Sequence, residues 1–287
     1  MSTTINTASS LREAAPAKIN LQLKVTARRP DGYHELQISF LPLRELFDEI
    51  ELEFKQGPLR VQCAGSGVPQ DGDNICGKAA HAYHLAANIP CEWVFTIHKK
   101  IPVAAGLGGG SSDAAAVLRM LNRHYRALTD EKLFELAAGL GADVPFFLNP
   151  RPASATGVGE KLTPLEFKLP PLPLLLVNPA FPVSAAWAYR HLDPALIGPG
   201  EALHGGSFDE ITAQVRNDLE PAVLAKFPLL RMIRRTMLEQ GAAAACLSGS
   251  GPTMFALCRN ADHLDRMHRH FASAFPACRL FPLIFSE

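Results

Sequence analysis

Residues 102–113 read Pro-Val-Ala-Ala-Gly-Leu-Gly-Gly-Gly-Ser-Ser-Asp and place four glycines within five consecutive positions. The segment follows a predicted strand that ends near Lys99 and precedes a helix predicted to begin near Ala114. Glycine lets the backbone adopt a positive φ and approach a ligand closely, and the amides and dipole of a helix start attract an anion. The hydroxyls of Ser111 and Ser112 add hydrogen-bond donors. The segment therefore predicts a phosphate-binding loop rather than a flexible connection alone.

Three well-known classes of nucleotide-binding sequence do not fit this segment. A Walker A loop needs Lys-Ser or Lys-Thr after its last glycine, and two serines stand there instead. A dinucleotide fingerprint counted from Gly106 needs glycine or alanine at the position that Ser111 occupies. The chain also lacks the His-Arg-Asp and Asp-Phe-Gly elements of protein kinases. The loop therefore indicates another class of phosphate-binding protein.

The hydrophobic patterns on both sides of the loop predict an α+β fold. Alternating apolar residues predict strands within 19–25, 36–40, 50–54 and 93–97. Apolar residues at helical spacing predict helices over 73–88, 114–125 and 130–140, and Thr129 is the predicted N-cap of the last. A second block begins near residue 155 and ends in a strand–strand–helix–strand order over 243–284. Because 287 residues suit about two domains, we expect one domain over 1–155 and another over 156–287.

The composition limits the possible partners and compartments. The chain has 28 Lys and Arg against 28 Asp and Glu, and 47% of its residues are apolar, which excludes disorder as a description of the whole. A nucleic-acid scaffold is disfavoured, because binding phosphate backbones takes a cationic excess. The first twenty residues hold no apolar run of a secretory signal, and the six cysteines follow no metal-site spacing. We expect a soluble cytoplasmic protein with no nucleic acid, membrane or obligate protein partner.

Asp143 is the only charged residue between Glu135 and Arg151. A carboxylate within such an apolar run has two interpretations. Asp143 either caps a short helix, or it is a buried general base kept ionised by a nearby cation.

Two further segments depend on their context. Leu247–Thr253 holds two glycines and three hydroxyl side chains between two predicted strands, so it is either a tight turn or a segment that closes over a phosphate. Lys18 lies on the polar side of the strand predicted within 19–25, where a lysine is ordinarily solvated. Neither segment alone indicates a function.

Taken together, three segments resemble the three signature motifs of the GHMP kinase superfamily, whose members phosphorylate hydroxyl groups of small metabolites with ATP. These segments are Pro16–Leu21, Pro102–Asp113 and Leu247–Thr253. Three more resemble the members that act on a cytidyl-diphosphate polyol, phosphorylating the 2-hydroxyl of its methylerythritol part in the non-mevalonate isoprenoid (terpenoid) route. They are Asp31–Leu36, Gly141–Phe146 and Asn217–Pro221.

The resemblance implies a two-domain GHMP kinase fold with the active site in the inter-domain cleft. The first domain would bind ATP and the second would lie on the substrate side. Asp143 would be the catalytic aspartate and Lys18 the lysine beside it. The nucleotide side would include Lys99, Pro102, Gly106, Leu107, Gly108, Gly109, Gly110, Ser111 and Ser112. The substrate side would include Asn20, Tyr33, His34 and Tyr189, with cytosine stacked between Tyr33 and Tyr189.

Two points of the resemblance are unsettled by the sequence. Many relatives carry threonine where this chain has Ala185, so either Ser184 substitutes for that hydroxyl or one substrate hydrogen bond is lost. Phosphoryl transfer from ATP normally needs Mg²⁺, yet no carboxylate here matches a metal ligand. We expect the ion to be held mainly by phosphates and water.

Three alternative functions remain at this stage. Another GHMP kinase, of homoserine or mevalonate type, would share the glycine loop but give no reason for the Asp31–Leu36 segment. A non-catalytic nucleotide-binding regulator would keep the loop and need neither Lys18 nor Asp143. A nucleic-acid-binding module is the least favoured, given the balanced charge.

Overall fold

The computed structural model describes residues 10–64 and 73–286, and its contacts group into two compact units. The first unit comprises Met1–Ala15, Phe47–Lys100 and Gly110–Asn149, and the second comprises Pro16–Leu46, Ile101–Gly109 and Pro150–Glu287. The segments of the two units alternate along the chain. The sequence analysis predicts two consecutive domains, 1–155 and 156–287, with different functions, and that division stays a prediction.

The described residues form strands and helices in a mixed order that confirms the predicted α+β class. The strands are β1 (Ser10–Arg28), β2 (His34–Phe54), β3 (Arg60–Ala64), β4 (Trp93–His98), β5 (Ala153–Thr156), β6 (Lys161–Pro164), β7 (Leu172–Asn178), β8 (Arg216–Asn217), β9 (Ala244–Leu247), β10 (Met254–Leu257) and β11 (Arg279–Phe285). The helices are α1 (Ile75–Ala87), α2 (Gly109–Tyr125), α3 (Asp130–Leu140), α4 (Val144–Leu148), α5 (Ala185–Arg190), α6 (Phe208–Ala213), α7 (Glu220–Lys226), α8 (Pro228–Glu239) and α9 (Ala261–Ala274). None of these helices is long and apolar enough to cross a membrane.

The first unit packs α1–α4 with a sheet formed by the end of β2, β4 and β3. Residues 49–54 of β2 pair antiparallel with β4, and β3 pairs parallel with β4. Alternate residues of β4, namely Trp93, Phe95 and Ile97, are buried, as their pattern predicts. The helix start predicted at Thr129 is confirmed, because its side chain accepts a hydrogen bond from the Lys132 amide.

The second unit contains a four-stranded antiparallel sheet in the order β11-β7-β10-β9. Helix α9 packs on β11 and β7, and α8 packs on β9 and β10. Elsewhere in this unit, residues 38–40 of β2 pair with β5, and β8 pairs parallel with β1 at Gln22 and Leu23. The strand–strand–helix–strand ending predicted over 243–284 is therefore confirmed.

Helix α2 begins five residues earlier than the sequence predicts. The pattern indicates a start at Ala114, but the helix begins at Gly109. Glycine and serine have weak helix propensity, so the apolar spacing becomes visible only after Asp113. The last part of the glycine-rich segment is thus the first turn of a helix.

A buried ion cluster in the first unit joins β2, the end of β4 and α2. The Lys99 ammonium contacts the carboxylates of both Asp48 and Asp113, the latter at 2.7 Å. The second oxygen of Asp48 accepts a hydrogen bond from the Lys100 amide at 2.5 Å. Although burial alone would lower the pKa of Lys99, the two carboxylates outweigh it and raise that pKa. Burial, together with the nearby Asp48 carboxylate, raises the pKa of Asp113 to about 7 against the opposing effect of Lys99.

We predict that this cluster makes stability fall as the pH rises from about 4 to about 7. Because the pKa of Asp113 is higher in the folded protein than its ordinary value of 3.8, the folded state holds the proton more tightly over this range. Asp113→Asn removes the titration. Thermal unfolding should show the melting temperature of the variant, relative to the parent protein, increasing by a few degrees between pH 5 and pH 8.

The matched control is Asp130→Asn, which removes an exposed carboxylate from the first turn of α3. Its melting temperature relative to the parent should change little across the same range. A difference between Asp113→Asn and the parent that stays constant with pH would contradict the raised pKa.

Candidate active site

Within the second unit, strand β1, residues 105–107 and the β9–β10 hairpin are held together by hydrogen bonds. The Lys18 amide donates to the Leu107 carbonyl at 2.9 Å. The Ser248 hydroxyl donates to the Gly106 carbonyl at 2.9 Å, and the Thr253 amide donates to the Ala105 carbonyl at 3.3 Å. These contacts bring together segments from all three regions that the sequence analysis singled out.

Glycine is required at position 106 for two reasons. Its φ is +75°, in the region that side-chain-bearing residues rarely adopt. A Cβ at this position would also collide with the backbone carbonyl oxygen of Ser248. The hairpin thus approaches the glycine-rich segment so closely that only a residue without a side chain fits.

Lys18 is buried rather than solvated, with only 4% of the residue exposed. Its ammonium donates to the Asn20 side-chain oxygen at 2.7 Å and lies 5.3 Å from the centre of the Phe40 ring. The interpretation of Lys18 as an ordinary surface lysine is therefore wrong. Its predicted neighbour Asn20, also buried, fixes the direction of the ammonium group.

The remaining part of the glycine-rich segment belongs to the first unit. Gly110, Ser111 and Ser112 lie in the first turn of α2. The Ser112 hydroxyl is buried, and among the described residues it has no hydrogen-bond partner. A buried polar group without a partner is costly, so a ligand oxygen that accepts from Ser112 would be favoured. The two hydroxyls and the helix start fit a phosphate group.

Lys99 and Pro102 are also predicted to lie on the nucleotide side, but they lie outside the first turn of α2. The Lys99 ammonium is neutralised by Asp48 and Asp113, so the structure gives it a role in holding the start of α2. Pro102 is buried in the second unit, ahead of Gly106. The other predicted loop residues, Leu107, Gly108 and Gly109, also belong to the second unit. The contacts of these residues with a nucleotide stay predictions.

Asp143 lies in the first unit, directly before helix α4. Its side chain makes no capping hydrogen bond to that helix, and its backbone is helical at φ −85° and ψ −14°. Asp143 is therefore the half-buried N-cap residue of α4, but its side chain does not form the hydrogen bond of a cap. Because Asp143 and Lys18 belong to different units, their cooperation stays a prediction.

The predicted substrate residues on the second unit include a stacked ring pair. The rings of His34 and Tyr189 are 5.5 Å apart with an angle of 23° between their planes. Tyr33, at 65% exposure, presents its ring to solvent. Burial, aided by the charge of Arg28, lowers the pKa of His34, so its ring is neutral at pH 7 and offers one donor and one acceptor. The sandwich of cytosine between Tyr33 and Tyr189 stays a prediction.

Ser184 caps a helix, which bears on whether its hydroxyl can substitute for the threonine hydroxyl that is absent at Ala185. Its hydroxyl oxygen accepts a hydrogen bond from the Trp187 amide at 3.2 Å, which caps helix α5. Ala185 is the first residue of that helix and has no hydroxyl. Since the cap uses only an acceptor lone pair of Ser184, its proton is still available for donation.

Sequence reasoning missed two buried residues that support the site, Asp48 and Asn217. Asp48 lies on β2 and holds Lys99 and Lys100. Asn217 holds the loop at Leu247 and Gly249. Asp48 is one of several acidic residues in a strand-like stretch, so the sequence did not distinguish it, and Asn217 stood in a segment singled out for resemblance alone. In the described ranges, no group of three or more His, Cys, Asp or Glu residues could hold a metal ion.

Comparison with known proteins agrees with this geometry. Residues 74–150 match the model of the GHMP kinases N terminal domain, and residues 199–277 match that of the GHMP kinases C terminal. A protein of Citrifermentans bemidjiense named 4-diphosphocytidyl-2-C-methyl-D-erythritol kinase is 45% identical over 254 residues, which cover 86% of this chain and 89% of the relative. Its namesake from Geobacter sulfurreducens is 44% identical over 255 residues, covering 86% and 90%.

Solved structures give the same result. A crystal structure of 4-(cytidine 5'-diphospho)-2C-methyl-D-erythritol kinase superposes with a TM-score of 0.79 at 37% identity, covering 96% of this chain and 100% of the other. The homoserine kinase from Cytophaga hutchinsonii has a TM-score of 0.76 at 16% identity, covering 100% and 97%. The second likeness shows a shared fold alone. The similarities over most of the chain establish that this protein belongs to the GHMP kinase family.

Proposed function

We propose that the protein is an ATP-dependent kinase that phosphorylates the 2-hydroxyl of 4-diphosphocytidyl-2-C-methyl-D-erythritol, in the non-mevalonate route to isoprenoids. The observation that carries this proposal is the 45% identity, over 86% of the chain, to a relative named for this activity. The agreement of the motif residues with a phosphate loop and a stacked ring pair supports it. The partners in this proposal are a small-molecule substrate and ATP.

The nucleotide is held by residues 106–112. Positive φ at Gly106 and Gly108 and the buried hydroxyl of Ser112 fit phosphate oxygens. ATP, when bound with Mg²⁺, supplies the phosphoryl group, and the ion neutralises charge on the phosphate oxygens. Mg²⁺ readily keeps water ligands, so phosphates and water would hold the ion without a carboxylate cluster from the protein.

Lys18 and Asp143 carry the chemistry of the substrate hydroxyl. Asp143 orients that hydroxyl and accepts its proton. Lys18 stabilises the negative charge that develops on the oxygen. The ammonium of Lys18 is already directed by Asn20 and Phe40, so little reorganisation accompanies the reaction. Most of the rate gain in phosphoryl transfer comes from such positioning and electrostatic stabilisation.

The cytosine is bound by aromatic rings of the second unit. Tyr189 and His34 already form a stacked pair, and Tyr33 has an exposed ring that is able to cover a planar base. The neutral imidazole of His34 suits hydrogen bonding to the edge of a pyrimidine. The proposal assigns Asn20, which accepts a hydrogen bond from Lys18, a contact with the polyol part of the substrate.

The direct test is phosphorylation of the proposed substrate with Mg·ATP, followed by phosphorus NMR. We expect a new phosphomonoester signal together with stoichiometric ADP. The same assay with homoserine and with mevalonate serves as the comparison. Turnover of either of these and none of the cytidyl-diphosphate polyol would contradict the substrate assignment, and ATP binding without turnover of any alcohol would indicate a regulator.

Asp143→Asn should lower kcat by about 10²–10⁴-fold, because the amide cannot accept the hydroxyl proton. The KM for both substrates should change little, and the melting temperature should stay near that of the parent. Asp130→Asn, at an exposed helix start of the same unit, is the control and should keep full activity. Near-parental turnover by Asp143→Asn would refute the role of this carboxylate.

The cooperation of Lys18 with Asp143 can be tested by combining substitutions. If both groups act on one hydroxyl, Lys18→Met together with Asp143→Asn should reduce kcat far less than the product of the single effects. Effects that simply multiply would show that the two side chains act independently.

Tyr189→Ala should raise the KM for the cytidyl substrate about tenfold, because stacking on a base contributes about 1–3 kcal/mol. Tyr189→Phe keeps the ring and should leave this KM nearly unchanged. The KM for ATP should stay constant in both variants. Equal substrate KM values for the alanine and phenylalanine variants would show that ring stacking is not involved.

A further inference from the structure

Asn217 lies outside the residues that the proposed chemistry uses, yet all of its side-chain amide groups are hydrogen-bonded. It is the last residue of β8, which pairs parallel with β1, and only 7% of it is exposed. The two amide hydrogens are donated to the carbonyls of Leu247 and Gly249, at 2.8 Å and 2.7 Å. Its oxygen accepts from the Leu219 amide at 2.9 Å.

The two carbonyls held by Asn217 lie on either side of Ser248. The Ser248 hydroxyl donates to the carbonyl of Gly106. Gly106 is the first glycine of the proposed phosphate loop. Gly249 comes so close that a Cβ there would lie 3.3 Å from the Gly106 carbonyl oxygen and 3.4 Å from the Asn20 side-chain oxygen. The position of residues 247–249 thus determines the hydrogen bond to Gly106 and the packing against Gly106 and Asn20.

The chemistry at this point requires a donor with two hydrogens. A carbonyl on each side of Ser248 is satisfied by the same NH₂ group, and only Asn, Gln, Lys and Arg offer two donors from one nitrogen. Asn is the shortest of these, and its oxygen simultaneously accepts from Leu219. A carboxylate in its place would face both carbonyl oxygens with no hydrogen to share, and an alanine would leave both without this donor.

From this geometry we infer that Asn217 is a positioning residue for nucleotide binding, because it fixes residues 247–249 against Gly106 and so sets the shape of the phosphate loop. The inference rests on the proposed nucleotide role of residues 106–112. It assigns Asn217 no contact with substrate or ATP. Its effect passes through the hydrogen bond from Ser248 to Gly106.

The test measures Mg·ATP binding directly by isothermal titration calorimetry, so it does not depend on the identity of the phosphate acceptor. Asn217→Asp should weaken Mg·ATP binding about tenfold or more. In turnover assays it should raise the KM for ATP much more than it lowers kcat. Should the aspartate variant fail to fold by circular dichroism, Asn217→Ala, which introduces no charge, replaces it in the same comparison.

The control for a merely structural effect is Asn122→Asp in the first unit. Asn122 is also an asparagine with three hydrogen bonds, to Tyr83 and to both backbone groups of Leu128. Its substitution should lower the melting temperature while leaving the Mg·ATP affinity unchanged. Equal loss of affinity in the two variants at similar melting temperatures would overturn the inference.

Ser248→Ala identifies the route of the effect. It should weaken Mg·ATP binding by itself, and adding it to the Asn217 substitution should cause little further loss. Fully additive losses would show that Asn217 does not act through Ser248. Unchanged affinity in the Asn217 variant would refute the inference, whereas absence of Mg·ATP binding by the parent protein would refute the proposed function itself.

Discussion

The second unit depends on satisfying one buried polar face of strand β1. Four alternate residues point to the same side of this strand, and all four are buried: Lys18, Asn20, Gln22 and Lys24. A buried polar group without a partner costs roughly 1–3 kcal/mol, and an unpaired charge costs more. Lys18 and Asn20 pair with each other, whereas the partners of Gln22 and Lys24 come from separate parts of the chain. Asn20 accepts from Lys18, Gln22 accepts from Ser39, and Lys24 pairs with Asp218 and donates to the Leu196 carbonyl. None of these segments can move without leaving a polar group unpaired.

This constraint prepares the proposed site for its chemistry. A surface lysine loses considerable side-chain entropy when it binds a ligand, but Lys18 has already been ordered by folding. The same rigidity extends to the glycine-rich segment, because the Lys18 amide bonds to Leu107 and the hairpin bonds to Gly106. The hydrogen bonds that stabilise the unit are therefore also those that direct the reactive groups, which is the preorganisation that electrostatic catalysis requires.

Much of this arrangement could be predicted from the sequence, and the remainder has identifiable physical reasons. Period-two patterns located most of the long strands, and the Thr129 cap located a helix start, because these signals are local. The expectation that the polar side of β1 is solvated was wrong, since the polar residues of an alternating strand look the same whether water or protein covers them. The start of α2 was hidden by residues of weak helix propensity. Partners such as Asn217, 30 and 32 residues from the carbonyls it binds, depend on tertiary contacts that no local pattern encodes.

The balanced charge of the chain is also found locally, where buried lysines pair with carboxylates. Lys99 is neutralised by two carboxylates and Lys24 by Asp218, so two buried cations serve the fold and add little net field. An anion that approaches residues 106–112 would therefore be attracted mainly by backbone amides, by the hydroxyls of Ser111 and Ser112, and by the start of α2. Such donors are fixed in direction and act at short range, unlike a diffuse cationic surface that attracts any polyanion. A site of this construction would select a compact phosphate group by geometry, which is how a chain with zero formal net charge could hold the proposed nucleotide.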